Sequence, residues 1–170
     1  MKIEQFKSSF GRVARPTLFQ VQLQFPGASV ESTFFCKGAS IPTRTIGEIE
    51  IPFMGRKTFQ PGDATYEPWT ITIFNDVNFT VRRELENWHE IMNEAKNNRG
   101  VSNLSEYERD LSVFHLDDQE NILKQYIFKS AWPTNSGDEI ALDWGSADTA
   151  EEYSVQFRYD YWTTPDVTRD

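Results

Sequence analysis

Side chains able to do covalent or acid–base chemistry are few and scattered in this chain of 170 residues. Of its two histidines, His89 follows Trp88 in a helical stretch and His115 lies between Phe114 and Leu116 in a strand-like one. Neither has a His or Cys neighbour at metal-ligand spacing, so both read as structural or exposed. The single cysteine, Cys36, would be a nucleophile only beside an activating base. Next to Phe34 and Phe35 it reads instead as a small buried apolar residue. One cysteine allows no intramolecular disulfide, which fits a reducing compartment.

Carboxylates are abundant: Asp117, Asp118 and Glu120; Asp138 and Glu139; Asp143 and Asp148; Glu151 and Glu152. Two acids opposed across a cleft would make a glycosidase, and five tryptophans could supply sugar-stacking platforms. A carbohydrate-binding or glycoside-hydrolysing β-sandwich is therefore the rival from another functional class. Yet these acids sit in turn-like contexts, where Asp hydrogen-bonds the nearby backbone. The run from Asp117 to Glu120 lacks the spacing and glycine of an EF-hand loop. Gly55-Arg56-Lys57 lacks the upstream glycine of a phosphate-binding loop. The residues therefore point to no catalytic group, metal ligand or cofactor.

The balance of 17 basic against 26 acidic residues, a net charge of −9, opposes nucleic-acid binding, which needs clustered Lys and Arg to displace counterions. It does not oppose a passage that DNA traverses without sticking, where each phosphate contact would add friction. No window approaches the roughly 20 apolar residues of a membrane helix, and Met1 to Lys7 is too polar for a secretion signal. The expectation is one soluble domain made in the cytoplasm, with no membrane partner.

The elements that must position these residues are mostly strands. Phe19, Val21, Leu23 and Phe25 alternate with Gln20, Gln22 and Gln24, a period of two. Pro26-Gly27 turns the chain, and Glu31 to Lys37 is expected to be the antiparallel partner. Trp69, Ile71 and Ile73 alternate with Thr70 and Thr72. Leu111 to Leu116 and Ile122 to Trp132 predict a hairpin, Glu139 to Asp143 a short strand, and Tyr153 to Tyr161 one long strand. The period changes once. Val81, Leu85, Trp88, Met92 and Ala95 make one helical stripe, predicting a helix over 78–98 with Asp76 or Asn78 as cap and Gly100 as stop.

Between Gly38 and Pro68 stand four prolines and four glycines. Ile49, Ile51 and Phe53 alternate there with Glu48 and Glu50, and Gly55 marks a hairpin tip returning through Lys57 to Gln60. A ladder carrying Pro52 and Pro61 cannot be mid-sheet, so residues 38–68 read as a protruding hairpin or loop. Residues 1–14 read as an N-terminal arm and 163–170 as a C-terminal tail. The fold class is mainly β with one flanking helix, an antiparallel sandwich or barrel. The uncharged wet faces of Gln20, Gln22, Gln24, Thr70 and Thr72 suit the wall of an aqueous passage; they equally suit an ordinary outer surface.

Several distinctive short segments follow one another along the chain: Arg15-Pro16-x-Leu18-Phe19, Phe35-Cys36-Lys37 with Ile41-Pro42, Pro52-Phe53-Met54-Gly55-Arg56-Lys57, Trp69-Thr70 with Asn75-Asp76, Trp132-Pro133-Thr134-Asn135, Leu142-Asp143-Trp144 and Asp160-Tyr161-Trp162. In that order and spacing the chain resembles the tail tube family of large contractile-tailed bacteriophages. The resemblance implies a structural virion protein, without enzymatic residues, whose hexameric rings stack into a tube conducting DNA to the host. Strands of six subunits would join into one continuous barrel. Implied partners are further copies of the chain, a contractile sheath, baseplate tube proteins and a tail terminator. Tube assembly would take place in the host cytoplasm.

Within that resemblance the Gly47 to Gln60 segment is the candidate contact between rings. It carries Ile49, Ile51, Phe53, Met54, Arg56, Lys57 and Phe59, with Asp138 and Glu139 as acids for it to meet on the next ring. A solvated hairpin tip is the other reading of Arg56 and Lys57. A baseplate tube initiator and a type VI secretion inner tube protein are related alternatives.

Overall fold

The computed structural model describes residue 3 and residues 14–27, 36–145 and 148–165. Most of the expected arm, residues 31–35 of the strand expected before Gly38, and residues 166–170 of the tail lie outside them.

Period-two alternation builds one seven-stranded antiparallel sheet. Its order is β1 (Phe19–Gln22), β6 (Arg109–Leu116), β7 (Ile122–Pro133), β8 (Glu152–Arg158), β5 (Trp69–Phe74) and β2 (Cys36–Ala39), with β9 (Tyr161–Thr163) pairing β7. The turn between β6 and β7 is tied by Asp117, whose Oδ1 accepts from the Gln119 and Asn121 backbone N–H groups at 2.7 and 2.9 Å. β7 serves two neighbours in succession. Its first part pairs β6, whereas Trp132 and Pro133 pair β8. Ser130 at the corner has φ 54°, and the β6 register slips between Arg109 and Leu111 beside it, as a bulge that bends a strand does.

That bend folds the sheet over its own core. Trp69 on β5 stacks on Phe128 of β7 with ring centroids 4.3 Å apart, although β8 lies between the two strands. The edge strands β1 and β2 approach each other, but no ladder joins them among the described residues. The barrel is open.

Helix α1 (Thr80–Met92) lies over the core with Val81, Leu85 and Trp88 fully buried. Trp88 packs against Phe157 and Phe25, and its indole N–H donates to the Tyr107 carbonyl at 2.7 Å. Burying each such side chain contributes about 1.5–3 kcal/mol. Asp76 starts the helix from outside: its carboxylate accepts from both the Thr80 backbone N–H and the Thr80 hydroxyl at 2.7 Å. Those bonds, the hydroxyl's first, hold its carboxyl below the ordinary aspartate range.

Four expectations need correction. The helix ends at Met92 rather than 98, because Asn93 is extended and the chain turns back so that the Glu94 N–H reaches the Arg99 carbonyl at 2.9 Å. Ala95 is exposed outside it. Secondly, β1 pairs β6, while Cys36–Ala39 pairs β5; proximity in sequence does not choose the partner here. Thirdly, residues 139–143 form no strand, since after Asp138 donates its N–H to Ser154 the chain leaves the ladder of β8. Lastly, the long final strand breaks at Tyr159 and Asp160. There the Tyr159 hydroxyl donates to the Glu67 carbonyl at 2.6 Å and the Asp160 N–H to the Lys129 carbonyl at 3.1 Å.

Apart from this body stands a two-stranded sheet of its own, β3 (Arg44–Phe53) and β4 (Arg56–Tyr66). It is longer than the 47–60 segment expected. Pro52 and Pro61 fit because neither strand has a second neighbour among the described residues.

Candidate functional site

The β3–β4 hairpin is built to stand away from the core. Ten residues of β3 at the rise of a strand span roughly 33 Å, and every one of them is exposed. Its tip is Met54-Gly55, with φ 45° and 79°, the two positive values that a two-residue I′ turn requires. Lower down, the register shifts between Ile46 and Glu48. A Cβ on Gly62 would come within 3.2 Å of the Gly47 carbonyl oxygen, so the two backbones cross closely at this bulge.

Register sorts the candidate residues onto two faces. Ile49 lies opposite Gln60, Ile51 opposite Thr58 and Phe53 opposite Arg56. Directly opposed residues share a side, so Ile49, Ile51, Phe53 and Arg56 form one face. Glu50 opposes Phe59 and Pro52 opposes Lys57, which puts Phe59 and Lys57 on the reverse. Lys57 Nζ there pairs with Glu50 at 2.8 Å. Arg56 has no ion-pair partner among the described residues. The basic pair read from sequence as one feature is therefore two: a neutralised lysine behind, and a free guanidinium beside an apolar row. Met54 crowns the tip, 91% exposed.

The expected acids divide in the same way. Asp138 is engaged at home: its carboxylate accepts from Asn135 Nδ2 at 3.0 Å and its carbonyl accepts from Arg82. Glu139 is exposed and lines an open cleft of about 640 Å³ with Leu142, Asp143, Trp144, Glu151 and Glu152. Leu142 is 88% exposed and Trp144 wholly so. Asp143 Oδ1 accepts the Gly145 N–H at 3.2 Å, a local turn that props the indole outward. Leu142-Asp143-Trp144 is one of the motifs read from the sequence, and two large apolar side chains in a stretch with no periodicity to bury them mark it as an exposed segment.

The five polar candidates do not gather at one spot. Gln20 and Gln22 sit on the outward side of β1, opposite Phe114 and Ser112, and Gln24 is exposed just past the strand. Thr70 and Thr72 sit on the outward side of β5, opposite Gln156 and Ser154, with the Thr72 and Ser154 hydroxyls 3.4 Å apart. All five lie on the sheet side facing away from the core, and β6, β7 and β8 separate the two groups.

The side chains with chemical potential are held in structural roles. Cys36 Sγ donates to the Gly38 carbonyl at 3.3 Å, and burial pushes its thiol up to about 11. His115 Nε2 meets the Arg15 carbonyl at 2.9 Å, and His89 Nε2 is buried without a partner. Trp69 and Trp88 are spent in the core.

Among the described residues the body is thus an open-edged barrel with a flanking helix, and the hairpin stands apart from it. Residues 14–165 match the phage tail tube protein family. The chain belongs to that family. Tail tube protein gp19 of Enterobacteria phage T6 is 33% identical over 153 residues, covering 89% of this chain and 92% of that one. Two solved structures share the fold at low identity. A chain of the anti-feeding prophage tube-terminating cap matches with TM-score 0.67 and 15% identity, covering 96% of this chain and 98% of its own length. A chain of the PVC sheath-tube complex, from an extracellular contractile injection system, matches with TM-score 0.66 and 14% identity, covering 96% and 97%.

As a tail tube protein of the contractile-tailed phages, the chain is a structural component of the virion. The carbohydrate-active sandwich is displaced by this match. The tail tube family's long matched span also places the described hairpin inside the shared domain rather than in an appendage.

Proposed function

We propose that copies of this tail tube protein close into hexameric rings, in which neighbouring strands complete one continuous barrel, and that the rings stack into the tube through which the genome passes. The observation that carries this is the β3–β4 hairpin, with its row of Ile49, Ile51 and Phe53 left in solvent. An exposed apolar strand face is a liability unless another molecule covers it. The unjoined edges β1 and β2 support side-by-side closure, and a barrel of many strands leaves an open lumen.

The hairpin serves as the contact between successive rings through Ile49, Ile51, Phe53, Met54 and Arg56, with Lys57 and Phe59 on its second face. The outward residues Gln20, Gln22, Gln24, Thr70 and Thr72 line the lumen, where uncharged polar groups let a polyanion slide. The sheath, baseplate tube proteins and terminator bind the outside and ends. The work is mechanical and needs no catalytic group. Electron microscopy of the purified chain tests this: hollow six-fold tubes are expected, and a permanently monomeric protein at every concentration would overturn it.

A further inference from the structure

The hairpin needs a receiving surface, and a second exposed apolar feature carries the complementary charge. We infer that the Leu142–Trp144 loop of one copy is the seat for the hairpin tip of another. This rests on the reading of the hairpin as a contact between copies and names what it touches.

The two surfaces fit in three respects. The tip offers Phe53 and Met54 to solvent, and the loop offers Leu142 and Trp144; both pairs are largely uncovered by the described residues, and joining them removes apolar surface from water. Charge is opposite. The tip brings Arg56, which has no ion-pair partner among the described residues, whereas the cleft beside Trp144 is lined by Glu139, Asp143, Glu151 and Glu152 and, among the described residues, by no basic one. Of these acids Glu152 is paired with Lys37, whereas Glu151 and Asp143 accept only from neutral donors, Asn75 and the Gly145 N–H; among the described residues Glu139, Asp143 and Glu151 therefore keep their charge for the incoming guanidinium. The chemistry of the centre is also matched. A guanidinium over an indole face gains a cation–π attraction, and Trp and Arg dominate the energetics of protein interfaces.

The geometry explains why Lys57 is excluded. It sits on the reverse of the hairpin, already neutralised by Glu50. At the tip, Arg56 on the apolar face is the cation without an ion-pair partner among the described residues, so the docking has a defined side.

The test uses the full chain in a Cys36→Ala background. One preparation carries Met54→Cys, a second Leu142→Cys, and the two are mixed, concentrated and treated with a short bismaleimide. A hetero-linked dimer is expected, with little product from either preparation alone. In parallel, Trp144→Ala, Arg56→Glu, and Arg56→Glu with Asp143→Lys are followed by sedimentation velocity. Both single changes should raise the concentration needed for association about tenfold or more, and the double change should recover most of it. Trp144 is wholly exposed, so circular dichroism should show that variant folded. If Arg56→Glu blocks association while Trp144→Ala does not and no hetero-link forms, the tip docks elsewhere: this inference falls and the hairpin reading stands. If Arg56→Glu associates as the parent does, the hairpin reading falls with it.

Discussion

Phe53 and Arg56 oppose each other on the last rung of the β3–β4 ladder, while Lys57, the next residue, points to the other face and pairs with Glu50 at 2.8 Å. Adjacent basic residues should therefore behave differently. Arg56→Glu places an acid beside Phe53 on the apolar face and should block association of copies. Lys57→Glu breaks only an exposed ion pair, worth about 0–1 kcal/mol, and should leave association within a few-fold of the parent. Sedimentation velocity on the two single variants decides it; equal loss in both would mean that the hairpin's faces are not distinguished.

The tip makes a second, local prediction. Met54 and Gly55 both hold positive φ, which costs a side chain roughly 1 kcal/mol or more away from glycine, Asn and Asp. Met54→Asn should tighten the hairpin and Gly55→Val should loosen it. Because β3 and β4 pair only with each other among the described residues, the thermal midpoint of the main sheet should hardly move in either variant. Hydrogen exchange of amides 44–66 is the readout, and a large shift of the global midpoint would show that the hairpin is part of the core.

In the core, Phe128 stacks on Trp69 at 4.3 Å and tilts against Tyr159 at 5.0 Å. It sits where the bent strand β7 closes over β5. Phe128→Ala should cost about 3–5 kcal/mol, read from denaturant midpoints. A loss below about 1 kcal/mol would mean that the two halves of the sheet are not held by this stack.

Much of this framework was legible. β5, β6, β7 and β8 show their period of two, and the Val81, Leu85 and Trp88 stripe shows its helical spacing. Pairing was not legible: β1 bonds to β6, some 90 residues on, because the β7 corner at Ser130 folds the sheet, and a serine at positive φ leaves no trace in hydropathy. The sides of Arg56 and Lys57 could have been told from strand parity alone, since neighbours in a strand point opposite ways. The engagement of Asp138 could not, for it depends on Asn135 and Arg82 brought in by tertiary structure.

Gly100 does not stop the helix, which ends at Met92; it is where the returning chain passes closest to that end. A Cβ there would lie 2.1 Å from the Met92 carbonyl oxygen, at the end of α1. Gly100→Ala should displace the 93–100 turn and cost about 1–3 kcal/mol, as other overpacked sites do. Thermal denaturation together with hydrogen exchange at Met92 and Glu94 would show it. An unchanged midpoint would mean that the turn yields freely.

Three protonated groups contribute to the pH dependence of stability on the alkaline side. Burial pushes the Cys36 thiol up to about 11 and the Tyr153 and Tyr159 hydroxyls up to about 12. The Tyr153 hydroxyl is buried without a hydrogen-bond partner, so nothing in its surroundings stabilises the phenolate apart from the nearby Arg82 charge. Below about pH 8 all three are neutral in folded and unfolded chains alike, and they add no pH dependence to stability. Above it the unfolded chain releases protons at ordinary values while the folded chain still holds them. Stability then falls by at most about 1.4 kcal/mol per pH unit for each group, until the folded groups titrate near pH 11–12. Tyr153→Phe removes one of these groups and should flatten the decline between pH 10 and 12. Urea midpoints measured across that range would show it, and a slope as steep as the parent's would locate the alkaline sensitivity elsewhere.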